Sequence, residues 1–393
     1  MDWNRCLATR AGKMKASAVR QLLKLTARPD MISFAGGLPA AELFSLDRVA
    51  AAVQAVLAHV GPRALQYGET EGVAELRAWI ARRYSTPRMR LDAGNVLITT
   101  GSQQVLDIAG RLWLDSGDSV IVENPTYLAA LQAWRPCDAA FLPLGMDADG
   151  MSLEDLSQQL QHRPKLAYFM PNFQNPTGIT MTLERRQGLI GRIQNHNVVV
   201  IEDSPYEELR YEGEPLPSLL ELDLHPDAGG HVIRAGTFSK TLMPGLRVGW
   251  ALGPQAVIGQ MVKAKQAMDL HTSTFNQYVA LELLNGGYEQ ECLPALRRAY
   301  RERRDAMLDA LRRHFPPEAR WTRPQGGMFI FVTLPKGIST AALLPRAMER
   351  NVAFVPGGEF HVDGAGQNTL RLNFTKASVP EIAAGIKTLA EVL

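Results

Sequence analysis

Cysteine is scarce in this chain: three residues in 393, Cys6, Cys137 and Cys292, lie far apart with no Cys-x-x-Cys pair. That excludes a disulfide framework and suits a reducing compartment. A charge excess of one sign is also missing. Forty-two basic residues stand against 40 acidic ones, a formal net charge of +2. No basic tail or stripe is present to attract nucleic acid or an anionic membrane. No run of about 18 apolar residues occurs, so no segment is expected to span a bilayer. Met1-Asp-Trp-Asn-Arg-Cys6 lacks the apolar stretch of a signal peptide. Repeats, low-complexity tracts and long linkers are absent as well. These absences leave a cytoplasmic protein as the expectation.

What is present is an ordinary globular composition, 46% hydrophobic and 21% charged, at a length that suits two domains. Short apolar runs recur at Val96–Thr100, Ser119–Glu123, Ala139–Leu144, Leu166–Met170, Val198–Glu202, Val232–Ala235 and Val248–Leu252. Most are continuous, as in strands covered on both faces. Helical patterns separate several of them: Val105, Ala109, Leu112 and Trp113 share one face, and Leu183, Leu189, Ile190 and Ile193 another. The alternation predicts an α/β fold with a mostly parallel sheet. A helix over Leu46–Val60 places Val49, Val53, Val56, Leu57 and Val60 on one stripe, with Ser45 as N-cap. After about residue 285 the character changes. A charged helix from Pro294 to His314, strands Met328–Leu334 and Thr369–Phe374, the short run Val352–Val355 and helices near Thr340–Arg350 and from Pro380 predict a smaller α+β unit. The expected division is 46–285 for the large domain and 286–393 for the small one, with 1–45 joining the latter.

Lys240 lies in Gly236-Thr-Phe-Ser-Lys-Thr-Leu-Met-Pro-Gly-Leu-Arg247. An amine that can form an imine, with hydroxyls at Thr237 and Ser239 and a guanidinium at Arg247, suits an aldehyde cofactor carrying a phosphate. Four more stretches follow predicted strands, at the edge where open α/β sheets bind ligands. Gly101-Ser-Gln-Gln104 opens a helix, whose N-terminal N–H groups attract anions; alone it reads first as a βα turn. Pro125-Thr-Tyr127 offers an aromatic that either stacks on a flat ring or fills the core. Asn175-Pro-Thr-Gly178 is by itself a plain turn. Glu202-Asp-Ser-Pro-Tyr206 offers a carboxylate for a protonated ring nitrogen and a phenol, or simply a capping Asp203. The combination decides, because anion donors, a stacking ring, a carboxylate and an imine-forming lysine rarely meet in this order by chance.

These stretches, with Ile32-Ser-Phe-Ala-Gly-Gly-Leu-Pro39, Leu65-Gln-Tyr-Gly-Glu-Thr-Glu-Gly72 and Val355-Pro-Gly-Gly358, resemble fold-type I pyridoxal-phosphate aminotransferases of class I/II, in the 2-aminoadipate and broad-specificity branch. The resemblance covers essentially the whole chain. It implies a seven-stranded sheet between helices and a small α+β domain. It also implies pyridoxal 5'-phosphate as cofactor and a homodimer with shared active sites. Lys240 would then be the Schiff-base lysine and proton carrier, Asp203 the partner of the pyridine nitrogen, and Tyr127 the stacking ring. Asn175 and Tyr206 would bond the ring's phenolic oxygen. Gly101, Ser102, Gln103, Thr237, Ser239 and Arg247 would cradle the phosphate, and Tyr67 would reach it from the neighbouring subunit. Arg371 would clamp the substrate α-carboxylate, assisted by Gly37 and Asn175. Thr237 stands where many relatives carry serine, and Ser204 where a second aspartate is common.

The reaction so implied carries an amino group from an L-amino acid (2-aminoadipate, glutamate, leucine or aromatic type) to a 2-oxo acid, 2-oxoglutarate first among them. Arg20 and Ser17 match residues that read a distal acidic group, although Arg20 suits an exposed helix face equally well. Pairing with a substrate carboxylate would contribute about 1.5–3 kcal/mol, roughly tenfold to hundredfold in preference. Two alternatives share the pattern. One is a β-lyase acting on cysteine S-conjugates with the same cofactor. The other is a transcription regulator with an aminotransferase-like sensor, set aside because the pattern begins within the first 20 residues with no basic head before it.

Overall fold

The computed structural model describes residues 1–14, 16, 22, 25, 28, 30–223 and 230–393; Ser17 and Arg20 lie outside them. Its centre is a seven-stranded sheet of β1 (Val96–Thr99), β2 (Ser119–Glu123), β3 (Ala140–Leu144), β4 (Leu166–Phe169), β5 (Val199–Asp203), β6 (Val232–Thr237) and β7 (Gly249–Leu252). The order across the sheet is β1-β7-β6-β5-β4-β2-β3. Only β7 runs antiparallel to its neighbours, β1 and β6; the remaining pairings are parallel. Each strand matches a run expected from sequence within two residues.

The continuous apolar runs have a direct cause. Alternate residues of each strand enter two different cores, one on each face. Leu97, Val120, Val122, Tyr168, Ile201 and Ile233 point into one core, while Val96, Ile98, Ile121, Phe169, Val200 and Val232 point into the other. The first core continues without a break into the C-terminal unit, through Tyr300, Met307, Phe329, Leu370, Leu372 and Ile386. That unit carries β8 (Arg320–Trp321), β9 (Phe329–Thr333), β10 (Val355–Pro356) and β11 (Thr369–Asn373) in the antiparallel order β8-β9-β11-β10. Helices Tyr288–His314 and Val379–Glu391 cover it. The N-terminal segment joins it through Ile32–Ser33, which pairs in parallel with Val352–Ala353.

Three local expectations change. The long helix starts at Tyr288 rather than Pro294, because burial of Tyr288, Leu293 and Leu296 holds its first turns despite the one missing N–H bond. The helix from Leu46 runs to Ala64 across a kink at Val60. Ser45 makes no side-chain cap there; its backbone N–H points to the Tyr288 hydroxyl instead. Of the expected stripe only Val56 is fully buried, with Ala52 beside it, and Leu57 is 47% exposed. Among the described residues no helix is long and apolar enough to cross a membrane, and no cluster of His, Cys, Asp or Glu is placed to hold a metal ion.

Candidate active site

Because β1 and β6 are both antiparallel to β7, their C-terminal ends meet at one edge of the sheet. There Gly249 pairs with Thr99 on one side and Thr237 on the other. This brings the loop after β1 against the loop after β6. A Cβ on Gly249 would stand 2.6 Å from the Gly101 carbonyl carbon and 2.7 Å from Ser102 N, so only glycine permits the approach. Gly101 has φ +75° and caps helix Ser102–Trp113, which leaves Ser102 in its first turn rather than at the cap. A Cβ there would meet the Arg247 guanidinium at 2.5 Å. Thr237 Oγ1 lies 2.9 Å from Ser239 Oγ, and Ser239 N–H donates to Thr237 Oγ1 at 3.2 Å. Arg247 has no carboxylate partner among the described residues; Nη2 donates to Thr100 O at 3.2 Å. Helix N–H groups, two hydroxyls and an unpaired guanidinium form a ready cradle for a phosphate.

Beside it opens a cavity of about 470 Å³ lined by Gly37, Gln103, Tyr127, Asn175, Tyr206, Lys240 and Arg371, with Leu38, Leu128, Phe329 and Phe360 completing the wall. The sequence motifs therefore converge. Lys240 Nζ donates to Gly37 O at 2.9 Å. Burial, then the Arg247 and Arg371 guanidinium groups, pull its amine down to about 8, toward the neutral form that attacks a carbonyl. Arg371 is buried, donating from Nη1 to Asn175 Oδ1 at 2.9 Å and from Nη2 to Ala35 O at 2.7 Å. Phe329 and Phe360 cover its guanidinium at 4.2 and 5.1 Å from their ring centres. Burial lowers it to about 10, against the pull of Tyr206 and Tyr127.

Asp203 ends β5 and is fully buried. Tyr168 O–H donates to Oδ2 at 2.8 Å, whereas Oδ1 has no partner among the described residues. Burial pushes its carboxyl up to about 7 despite that bond. An orphaned buried carboxylate oxygen is unusual, and it suits a cationic N–H brought by a cofactor. Arg371 Nε is likewise without a partner among the described residues. Ser204, which replaces the second acid, turns its hydroxyl to Glu202. Burial also raises the Tyr206 phenol, so it stays a donor.

Tyr67 is not brought to this cavity. It is 78% exposed, edge-on to His271, in a separate depression. Sequence reasoning missed three participants: Tyr168, Phe329 and Phe360. Tyr168 and Phe329 sit inside strands and Phe360 ends a short 3-10 turn, where nothing distinguishes a ligand of Asp203 or Arg371 from core filler. Sequence reasoning named Gly37 but missed Ala35, and missed that the backbone carbonyls of the two receive Lys240 and Arg371. Carbonyls leave no mark in a sequence.

A cavity lined by a lysine of lowered pKa and a buried arginine, a phosphate cradle at the neighbouring strand ends and an orphaned carboxylate at the end of β5 define an enzyme of the pyridoxal-phosphate kind, built on an α/β sheet. Comparison with known proteins places it further. The profile of the family "Aminotransferase class I and II" matches residues 29–387. The chain is 44% identical over 394 residues to a 2-aminoadipate transaminase of Thermus thermophilus, covering 100% of this chain and 98% of that one. It is 41% identical over 403 residues to aromatic-amino-acid aminotransferase 1 of Thermococcus litoralis, covering 100% and 95%. The crystal structure of an alpha-aminoadipate aminotransferase from Thermus thermophilus, complexed with N-(5'-phosphopyridoxyl)-L-leucine, superposes with a TM-score of 0.93 at 44% identity, covering 100% and 98%. The chain belongs to the class I and II aminotransferases. It is a transaminase, and pyridoxal phosphate is its cofactor.

Proposed function

We propose that this aminotransferase takes the amino group of an L-amino acid of the 2-aminoadipate, glutamate, leucine or aromatic type and delivers it to a 2-oxo acid, 2-oxoglutarate first among them. One observation carries the reading: a buried arginine, Arg371, faces the same cavity as Lys240, with two phenyl rings against its guanidinium. Only a carboxylate placed there would share both an amine-bearing neighbour and a bidentate partner. The Thermus relative named for 2-aminoadipate holds a leucine adduct, and the Thermococcus relative is named for aromatic substrates, which supports a broad range of donors.

The roles follow from the chain's own atoms. Pyridoxal phosphate, when bound, supplies an aldehyde for condensation with an amine and a ring that accepts the electrons left when the Cα–H bond breaks. Gly101, Ser102, Gln103, Thr237, Ser239 and Arg247 would hold its phosphate, and Asp203 Oδ1 would receive the ring N–H. Tyr206 and Asn175 would donate to the ring oxygen, and Tyr127 would stack on its face. Arg371 fixes the substrate carboxylate and so orients Cα–H. Lys240 Nζ, whose pKa its surroundings lower toward neutrality, holds the proton removed from Cα and returns it on the neighbouring carbon. Phe329, Phe360 and Leu38 exclude water, which strengthens each of these contacts.

This reading divides the chain as the sequence suggests, with Lys240, Asp203 and Tyr127 from 46–285 and Phe360 and Arg371 from 286–393. It also makes the active unit a homodimer, since Tyr67 lies outside its own chain's cavity. The test is a panel of amino donors and 2-oxo acceptors with the holoenzyme and its Lys240→Ala variant. The wild type is expected to exchange amino groups between glutamate or 2-aminoadipate and 2-oxo acids and to show the yellow of lysine-bound cofactor; the variant should do neither. Pyruvate and ammonia released from a cysteine S-conjugate with no 2-oxo acid, and no amino transfer, would overturn it.

A further inference from the structure

The loops after β2 and β4 carry Tyr127 and Asn175, which the reading above assigns to the face and the oxygen of the cofactor ring. Gln174 joins them. Its Nε2 donates to Pro125 O at 2.7 Å and faces Glu123 Oε2 at 3.4 Å. Its Oε1 accepts from Thr177 N at 2.9 Å and from Thr177 Oγ1 at 2.7 Å. Both amide hydrogens and both acceptor positions are thus engaged, and Gln174 is 1% exposed. Its backbone closes the turn as well, accepting from Gly178 N at 2.6 Å and donating to Ile179 O at 2.9 Å.

Glu123, the last residue of β2, anchors this junction. It is fully buried, and its Oε2 also accepts from Met170 N at 3.1 Å, at the end of β4. No cation pairs with it among the described residues. Burial raises this carboxyl to about 8, against the Met170 and Gln174 donors, so it is mostly neutral at physiological pH.

The contacts continue into a closed circuit. On its other side the Tyr127 loop is tied to the C-terminal unit: Thr126 N donates to Phe360 O at 2.9 Å, Val362 N to Asn124 Oδ1 at 3.1 Å, and Asn124 Nδ2 to Asp363 Oδ2 at 2.8 Å. Phe360 lies over Arg371, and Arg371 donates to Asn175 Oδ1. From Asn175 the chain returns to Gln174. The segments of Tyr127, Asn175 and Arg371 all lie on this ring of contacts. Inside the large unit, two side chains at the strand ends make the link, Gln174 to Pro125 O and Glu123 to Met170 N.

We propose that Gln174, held beside the buried Glu123, is a positioning residue that sets Tyr127 and Asn175 relative to each other and thereby couples cofactor binding to the carboxylate site at Arg371. The inference rests on the assignments of Tyr127 and Asn175 made above. Glu123 acts only as a neutral acceptor, so an amide can replace it, whereas an aliphatic side chain of similar size cannot.

Four proteins distinguish this from a merely structural role: wild type, Gln174→Ala, Glu123→Gln and Glu123→Leu. The readouts are the melting temperature of each apoprotein, the dissociation constant of pyridoxamine phosphate, the pH titration of the visible band, and kcat and KM separately. Gln174→Ala and Glu123→Leu are expected to weaken pyridoxamine phosphate about tenfold or more, as for a lost buried hydrogen bond. They should also shift the midpoint of the visible band and lower kcat as well as raise KM for the amino donor. Glu123→Gln should keep the cofactor affinity, kcat and KM within about threefold of wild type and leave the band midpoint unmoved. Variants that melt earlier yet keep wild-type cofactor affinity, band midpoint and KM would overturn the inference, as would a Glu123→Gln protein no better than Glu123→Leu. A wild-type protein that takes up no cofactor would instead strike the assignments beneath it.

Discussion

At the scale of single residues, the site is made by burial acting on charge. Asp203 is the clearest case. Its folded carboxyl titrates at about 7, against about 3.9 in an unfolded chain. Between those values the native apoprotein binds more protons than the unfolded one, so this group's contribution to stability falls as pH rises from about 4 to 7. The carboxylate proposed above to meet the cofactor is thus held at the expense of the fold. Asp203→Asn apoprotein should therefore melt higher than wild type at pH 8, with the gap closing toward pH 4, by scanning calorimetry. Its amino-transfer rate should fall about hundredfold or more, because the ring nitrogen loses its charged partner. A melting difference independent of pH would refute the electrostatic account. Lys240 follows the opposite arithmetic: lowered to about 8, it penalises the folded state below that value and ceases to do so above about 10.4.

At the scale of elements, strand ends do the placing. Five parallel strand ends and their loops bring an anion cradle, an aromatic ring, an amide, a carboxylate and an amine to one edge, and the antiparallel β7 lets Gly101 and Thr237 close on each other. These elements were legible because a strand buried on both faces must be apolar throughout, and such runs are short and bounded. The ends of helices were less so. Pro294 looked like a start, yet burial of the preceding turn outweighs one absent bond. The β11 strand places Arg371 against two rings from separate segments, which no local pattern reveals. Arg371→Lys replaces a planar fork by a point charge. It is expected to raise KM for amino donors and 2-oxo acids at least tenfold, with cofactor affinity within about threefold of wild type, by steady-state kinetics and equilibrium dialysis. Equal loss of cofactor would show that Arg371 supports the whole cavity rather than a carboxylate.

At the scale of the molecule, one core runs from the large sheet into the C-terminal unit, so the cavity between them is held by packing from both sides. Exposed apolar side chains remain on the N-terminal side of the large unit, including Leu46, Leu57, Leu65 and Tyr67. A second copy covering them would explain why Leu57 falls on the expected core stripe and yet faces outward. Mixed dimers test this directly. Lys240→Ala and Tyr67→Ala subunits, each impaired alone, should regain up to about a quarter of wild-type activity when refolded together at equal amounts. That follows because random pairing makes half the dimers hybrid, and a shared site leaves one of a hybrid's two sites intact. No recovery in confirmed hybrids would place Tyr67 outside the neighbour's site.

The succession of strands along the chain, the chemical class of the site and the identity of its lysine, carboxylate and arginine were determined by sequence alone, because each depends on residue type and on spacing within one short segment. Only tertiary structure decided that Tyr168 supports Asp203, that Phe329 and Phe360 both lie against Arg371, and that the carbonyls of Ala35 and Gly37 receive both cations. Those contacts join segments remote in the chain, through atoms every residue possesses or rings indistinguishable from ordinary core. Physical proximity, not composition, makes them part of the chemistry.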